Sequence, residues 1–203
     1  MNVNAVYLTM RSRYIQDPSW ENFFALIGSL LYKFPILSKV PLGLREVEGL
    51  INECGLEVCE VLLNACHGLA LALSPLEKVR KKLREEIQTP PGVDLIDQDL
   101  ARKEIFWKLV RHAKQGQNRL ILLKAGLEPK VKAYVLAHEL GHHLLGHVLE
   151  ECKVEGWLQE VHADTTAVWL TGLPSPFRSK EENRLIAELV GYDKNKAAAG
   201  GSA

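Results

Sequence analysis

The sequence has no net charge, no long apolar run, no paired-cysteine motif and no internal repeat, and each absence removes a class of function. Lysine plus arginine equals aspartate plus glutamate, 25 against 25, so no overall field draws the chain to nucleic acid or anionic lipid. No direct nucleic-acid contact is expected. Nothing approaches the roughly 18 apolar residues of a membrane span. The nearest stretch, Phe23 to Leu37, is broken by Gly28, Lys33 and Pro35, and no membrane partner is expected. Met1 to Met10 lacks the ordered positive, apolar and small-residue blocks of a secretory leader. Cys54, Cys59, Cys66 and Cys152 form no CxxC pair and no disulfide-rich spacing. Buried thiols in a reducing cytoplasm are the expectation.

What is present is an ordinary globular composition. The 203 residues are 47% hydrophobic and 25% charged, which suits one domain with a real core, or one with a small appendage. Thr89-Pro90-Pro91-Gly92 is the clearest break. It sets off a mostly helical region of unassigned function, 1–92, from the region that carries the chemistry, 93–193. A low-complexity tail, 194–203, reads as disordered. Helical periodicity covers Trp20 to Tyr32, Arg45 to Cys54, Pro75 to Ile87, Gln98 to Lys114, Pro129 to His147, Trp157 to Leu170 and Lys180 to Val190. The stretch Leu56 to Leu73 fits two short strands around Asn64–Gly68 or one buried helix, with strands favoured. Arg119 to Leu123 is an apolar run of strand length. The basic cluster between Lys78 and Arg84 is interleaved with Glu77, Glu85 and Glu86, and reads as a solvated helix face.

The chemistry sits in His138-Glu139-Leu140-Gly141-His142. Histidines four apart share a helix face, with Cβ atoms about 5–6 Å apart, and two such imidazoles can converge on one Zn²⁺ at bonds of about 2.0–2.1 Å. Glu139 lies about 100° around the helix from His138, where a carboxylate flanks the metal without ligating it and can take a proton from water. This is the HExxH arrangement, with the middle glutamate as general base. Gly141 costs about 1 kcal/mol relative to alanine inside a helix, and close approach of another backbone explains it best.

A catalytic zinc needs a third protein ligand and one open position. On a continued helix His143 falls about 140° off the ligand face and His147 on the opposite side. Leu145 and Val148 stand where an extended metzincin motif requires Gly and His. Downstream, Glu160-Val161-His162-Ala163-Asp164 puts Glu160 and Asp164 on one face of the next helix. Glu160 is favoured as third ligand, with Glu150, Glu151 and Glu155 as rivals. Asp164 is expected to accept the spare N–H of a ligand histidine. Ala163 and Ala167 would let the two helices approach, and His162 is expected to point away from the metal.

The segments Ala137 to His147 and Glu160 to Asp164, led in by Leu120 to Leu123 and Lys132-Ala133-Tyr134-Val135-Leu136, resemble the ImmA/IrrE family of metallopeptidases and, more broadly, the gluzincins. The resemblance runs from about Arg119 to Leu173. Relatives often continue ExxAD with an aromatic-Ala pair, whereas this chain has Thr165-Thr166-Ala167-Val168. The resemblance implies an α+β fold: a predominantly helical zincin-like domain with a small β-sheet over the active-site helix. It also implies a cytoplasmic zinc-dependent endopeptidase acting on a specific protein, such as a helix-turn-helix repressor of a mobile element, phage or stress response. Zn²⁺ would be held by His138, His142 and Glu160, with Glu139 as the catalytic base. Arg119 to Leu123 would be either an edge strand that receives extended substrate by strand addition or an ordinary buried strand. The alternative is a regulatory or interaction protein that retains the zinc site with little peptidase activity. An intact Glu139, which a structural site does not need, argues against it. A DNA-repair protease would carry a basic tail or zinc ribbon, and neither is present.

Overall fold

In the computed structural model, residues 2–61, 63, 66–72, 119–149 and 151–191 are described. They fall into two compact units, one formed by the chain up to Leu50 together with the chain from Pro129 onward, the other by Ile51–Glu128. The break expected at 89–92, the helices expected over 75–87 and 98–114, and the tail 194–203 lie outside the described residues. Among those residues the fold is α+β, with six α-helices and a three-stranded sheet. No helix among them is long and apolar enough to cross a membrane.

The first unit opens with α1 (Val3–Gln16) and α2 (Trp20–Lys33), packed on each other. The α2 helix starts where Ser19 accepts a hydrogen bond from the Asn22 amide, and it buries Phe23, Leu26, Ile27 and Leu30 along one side. The periodicity gave no hint of α1. It buries only Tyr7, Tyr14 and Ile15, three residues in about four turns, a stripe too thin to stand out from a polar background. The side chain of Asn2 caps it, accepting from the amides of Asn4 and Ala5. A short 3₁₀ turn (Pro35–Lys39) leads to α3 (Leu44–Glu53), which runs into the second unit.

Two further helices, α4 (Pro129–Leu145) and α5 (Gly156–Thr171), lie against each other. Along α4 every residue from Ala133 to Leu145 except His138 is buried, and on α5 Ala163 and Ala167 are fully buried. The small residues set the approach. A Cβ added at Gly141 would stand 3.3 Å from Thr166 Cβ and 3.4 Å from Ala163 Cα, so glycine there lets the α5 backbone come in, as the helix-interior glycine suggested. Gly172, at φ 65°, ends α5 in the left-handed region. Last comes α6 (Lys180–Leu189), opened by a capping box between Ser179 and Glu182.

The second unit contains β1 (Glu57–Val61), β2 (Gly68–Ala72) and β3 (Arg119–Lys124) in the order β1-β3-β2. The stretch Leu56 to Leu73 thus supplies two strands that do not pair with each other. Each pairs with β3: Val58 opposite Ile121 in the parallel ladder, Ala70 opposite Ile121 in the antiparallel one. With both ladders of hydrogen bonds taken, β3 is a central strand, and the idea that it is an open edge for a substrate is overturned. Its four central residues, Leu120–Leu123, are buried on both faces, as an apolar run without alternation requires. Cys59, Val61, Leu63, Leu71, Leu120 and Leu122 form the core of this unit. No disulfide links the described cysteines; Cys59 is buried and the other three are half-buried.

Candidate metal centre

The packing of α4 on α5 brings His138, His142 and Glu160 to one point. His138 Nε2 and His142 Nε2 are 3.1 Å apart. The Glu160 carboxylate faces both, Oε2 at 3.3 Å from His138 Nε2 and Oε1 at 3.5 Å from His142 Nε2. These three residues could hold a metal ion. Their exposure is graded: the histidine side chains are 15% and 11% exposed and that of Glu160 is 54% exposed, so the group opens to solvent on its carboxylate side. Glu139 is buried, and its charge is close enough to raise the pKa of His138. Of the other acids considered as third ligand, Glu155 accepts from the indole N–H of Trp157, Glu151 lines a separate cavity of about 380 Å³ beside α1, and Glu150 lies outside the described residues.

The two histidines are held from behind by unlike devices. His138 Nδ1 is 2.9 Å from Asp164 Oδ1. The same carboxylate oxygen accepts from the Tyr134 hydroxyl at 2.6 Å, and Oδ2 accepts from Arg178 Nε at 2.7 Å. Arg178 is itself tied to Glu182 at the start of α6. Burial opposes a charge on His138, but hydrogen bonds to Asp164 and Glu160 push its pKa up to about 10. Burial likewise works against an Asp164 carboxylate, yet the bonds from His138, Tyr134 and Arg178 hold its pKa below the usual range. The hydrogen bond with His138 lowers Glu160.

His142 turns its Nδ1 the other way, to His147 Nδ1 at 2.9 Å. His147 Nε2 is 2.7 Å from the Tyr14 hydroxyl, which is 2.8 Å from His162 Nδ1. The expectation that His147 lies on the far side of the helix is corrected here, because it assumed that the helix continues. It stops at Leu145; Gly146, at φ 83°, reverses the chain, and the His147 amide donates back to the His142 carbonyl at 2.9 Å. His162 points away from the metal group, as expected, into a nest of rings: Phe23 stacked at 4.5 Å and 16°, Trp20 edge-on at 4.5 Å and 80°. Burial pushes the pKa of His162 down to about 4 and that of His147 down to about 3, and it also lowers His142, helped by the neighbouring histidines.

No protein-family model, curated protein or solved structure matches the chain.

Sequence reasoning passed over Tyr134, Arg178 and Tyr14. Tyr134 carried a usable signal, since it lies four residues before His138 on the same helix face. Arg178 sits in the loop beyond α5, 14 residues from Asp164, and Tyr14 is 133 residues from His147. No periodicity reaches that far.

Proposed function

We propose that the chain is a zinc-dependent metallo-endopeptidase with a zincin-like helix pair, of the kind its resemblance to the ImmA/IrrE family implies. One observation carries the reading: the Nε2 atoms of His138 and His142 stand 3.1 Å apart and face the two oxygens of the Glu160 carboxylate, at 3.3 and 3.5 Å respectively. Ligands about 2.0–2.1 Å from a tetrahedral zinc stand about 3.3 Å apart, and each histidine nitrogen has the other nitrogen and one carboxylate oxygen near that spacing. Imidazole nitrogen with carboxylate oxygen suits zinc better than it suits calcium or magnesium. Three protein ligands leave one position open, as a catalytic site needs and a structural one does not. The exposed Glu160 side marks where a substrate would enter.

When bound, the ion would supply Lewis acidity toward a scissile carbonyl. The chain supplies the rest. His138, His142 and Glu160 would hold the ion. Asp164, braced by Tyr134 and Arg178, takes the Nδ1–H of His138 and so keeps its Nε2 lone pair forward. Glu139, buried one position along α4 and absent from the ligand set, takes the proton of the attacking water. The proposed substrate is a specific cytoplasmic protein, a helix-turn-helix repressor in the first instance; a chain of this kind with generic activity would damage its own host.

Protein purified without added metal should carry close to one equivalent of zinc. Glu160→Ala should lose most of it. Glu139→Gln should keep the zinc and the fold while cleavage falls about 10²–10⁴-fold. These variants are to be incubated with a candidate repressor and with casein, and new N-termini mapped. Undiminished cleavage by Glu139→Gln, or a wild type that takes up no zinc, defeats the reading. Equal digestion of casein and repressor leaves the enzyme but removes its specificity.

A further inference from the structure

The metal reading leaves Tyr14, His147 and His162 without a task, although all three are buried and joined in one line to a ligand. We infer that Tyr14 and His147 are positioning residues that hold His142 in the one tautomer able to ligate, through a head-to-tail hydrogen-bond chain running from α1 to the metal. The inference rests on the metal site proposed above.

The argument is a count of protons. Between His142 Nδ1 and His147 Nδ1, 2.9 Å apart, a single hydrogen must lie on one side or the other. The Tyr14 hydroxyl has one hydrogen and two nitrogen neighbours, at 2.7 and 2.8 Å, so one nitrogen donates to it and the other accepts from it. With each imidazole neutral, fixing any one proton fixes all of them. If His142 presents a bare Nε2 to a metal, its hydrogen is on Nδ1 and goes to His147 Nδ1. His147 then carries its hydrogen on Nε2 and donates to Tyr14. Tyr14 donates to His162 Nδ1, and His162 keeps its hydrogen on Nε2. Run backwards, the same chain puts the hydrogen of His142 on Nε2, aimed at the ligand position, where it blocks coordination. No group changes its charge between the two; only the direction of the chain differs.

The far end favours the ligating direction. His162 Nε2 is buried with no hydrogen-bond partner among the described residues, on a ring that is 0% exposed and lies between Phe23 and Trp20. Aromatic faces are negative, so an N–H is a better occupant of such a nest than a bare lone pair. The chain is also mechanically fixed at its middle. Gly146 makes the turn that returns His147 to His142, and the Tyr7 hydroxyl donates to the Leu144 carbonyl at 2.8 Å, pinning α1 to the same end of α4. An N-terminal helix that contributes no ligand thereby sets how well a ligand binds.

The test uses the full chain loaded with zinc. Long-range ¹H–¹⁵N NMR should show His142 with its hydrogen on Nδ1, and His147 and His162 with theirs on Nε2. Tyr14→Phe keeps the ring but removes the hydroxyl, frees His147 to reverse, and should weaken zinc about 10–100-fold in chelator competition. Leu8→Ala, at a half-exposed position of the same helix, should leave zinc affinity within about twofold. A zinc-loaded protein with His147 in the Nδ1–H form overturns the inference even if Tyr14→Phe fails to fold. So does a folded Tyr14→Phe that binds zinc as tightly as wild type. If no variant and no wild type binds zinc, the metal reading itself falls, and this inference with it.

Discussion

Asp164 shows how much one buried side chain can be asked to do. It is 4% exposed and takes charge-assisted hydrogen bonds from His138, Tyr134 and Arg178, so its carboxylate stays ionised against the cost of burial. Asparagine keeps the shape, loses the charge and offers an N–H where one of three donors now points. Asp164→Asn should therefore weaken zinc about 10–100-fold and lower folding stability by about 1–3 kcal/mol, the penalty for leaving a buried donor unmet. Chelator competition and urea denaturation read the two effects separately. Unchanged zinc affinity would mean that His138 is oriented by its packing alone.

At the scale of elements, helix ends decide more here than helix faces. The pair α4 and α5 was legible because both carry chemistry at four-residue spacing, but the α4 terminus places His147. Gly146 stands at φ 83°, and a Cβ there would come within 2.9 Å of the flexible end of Ile15. The side chain can move aside; the backbone angle cannot be excused for an L residue, at a cost of about 1–2 kcal/mol. Gly146→Ala should lower stability by that amount and loosen the hold of His147 on His142, so that zinc affinity falls along with the urea midpoint. A fall in stability with zinc affinity intact would show that the turn serves the fold only.

For the molecule as a whole, buried neutral histidines predict a one-sided response to pH. Above about pH 6.5 His162 is neutral folded and unfolded, and the full stability is present. Below 6.5 the unfolded chain takes a proton that the folded one refuses until about pH 4, so stability falls with pH across that window. The shift corresponds to a loss of about 3 kcal/mol, and His147 acts in the same direction down to about pH 3. In metal-free protein His138 works oppositely: raised to about 10, its contribution is complete below 6.5 and lost only as pH rises through 10. Urea midpoints of chelator-treated protein between pH 6.5 and 4.5 should therefore drop steeply, and His162→Phe should flatten the slope. Parallel slopes in wild type and variant would assign the acid sensitivity to the carboxylates.

By itself the sequence determined what local periodicity can encode. Two histidines four apart, an acid pair four apart and a glycine among large residues predicted a helix pair in close contact, and in the structure His138, His142 and Glu160 meet there. It determined α2, α3, α5 and α6 within a residue or two, since caps and apolar stripes are local features. Tertiary structure alone decided the rest. The place of β3 between β1 and β2 depends on pairing across more than 45 residues on either side, and a run of leucines reads alike at any position of a sheet. The support behind His138 comes from a loop arginine, and the support behind His142 from a turn glycine and, through His147, a tyrosine 133 residues from that second histidine. Hydrogen bonds of that kind leave no period in a sequence, because their partners are chosen by how elements pack and not by how each one is wound.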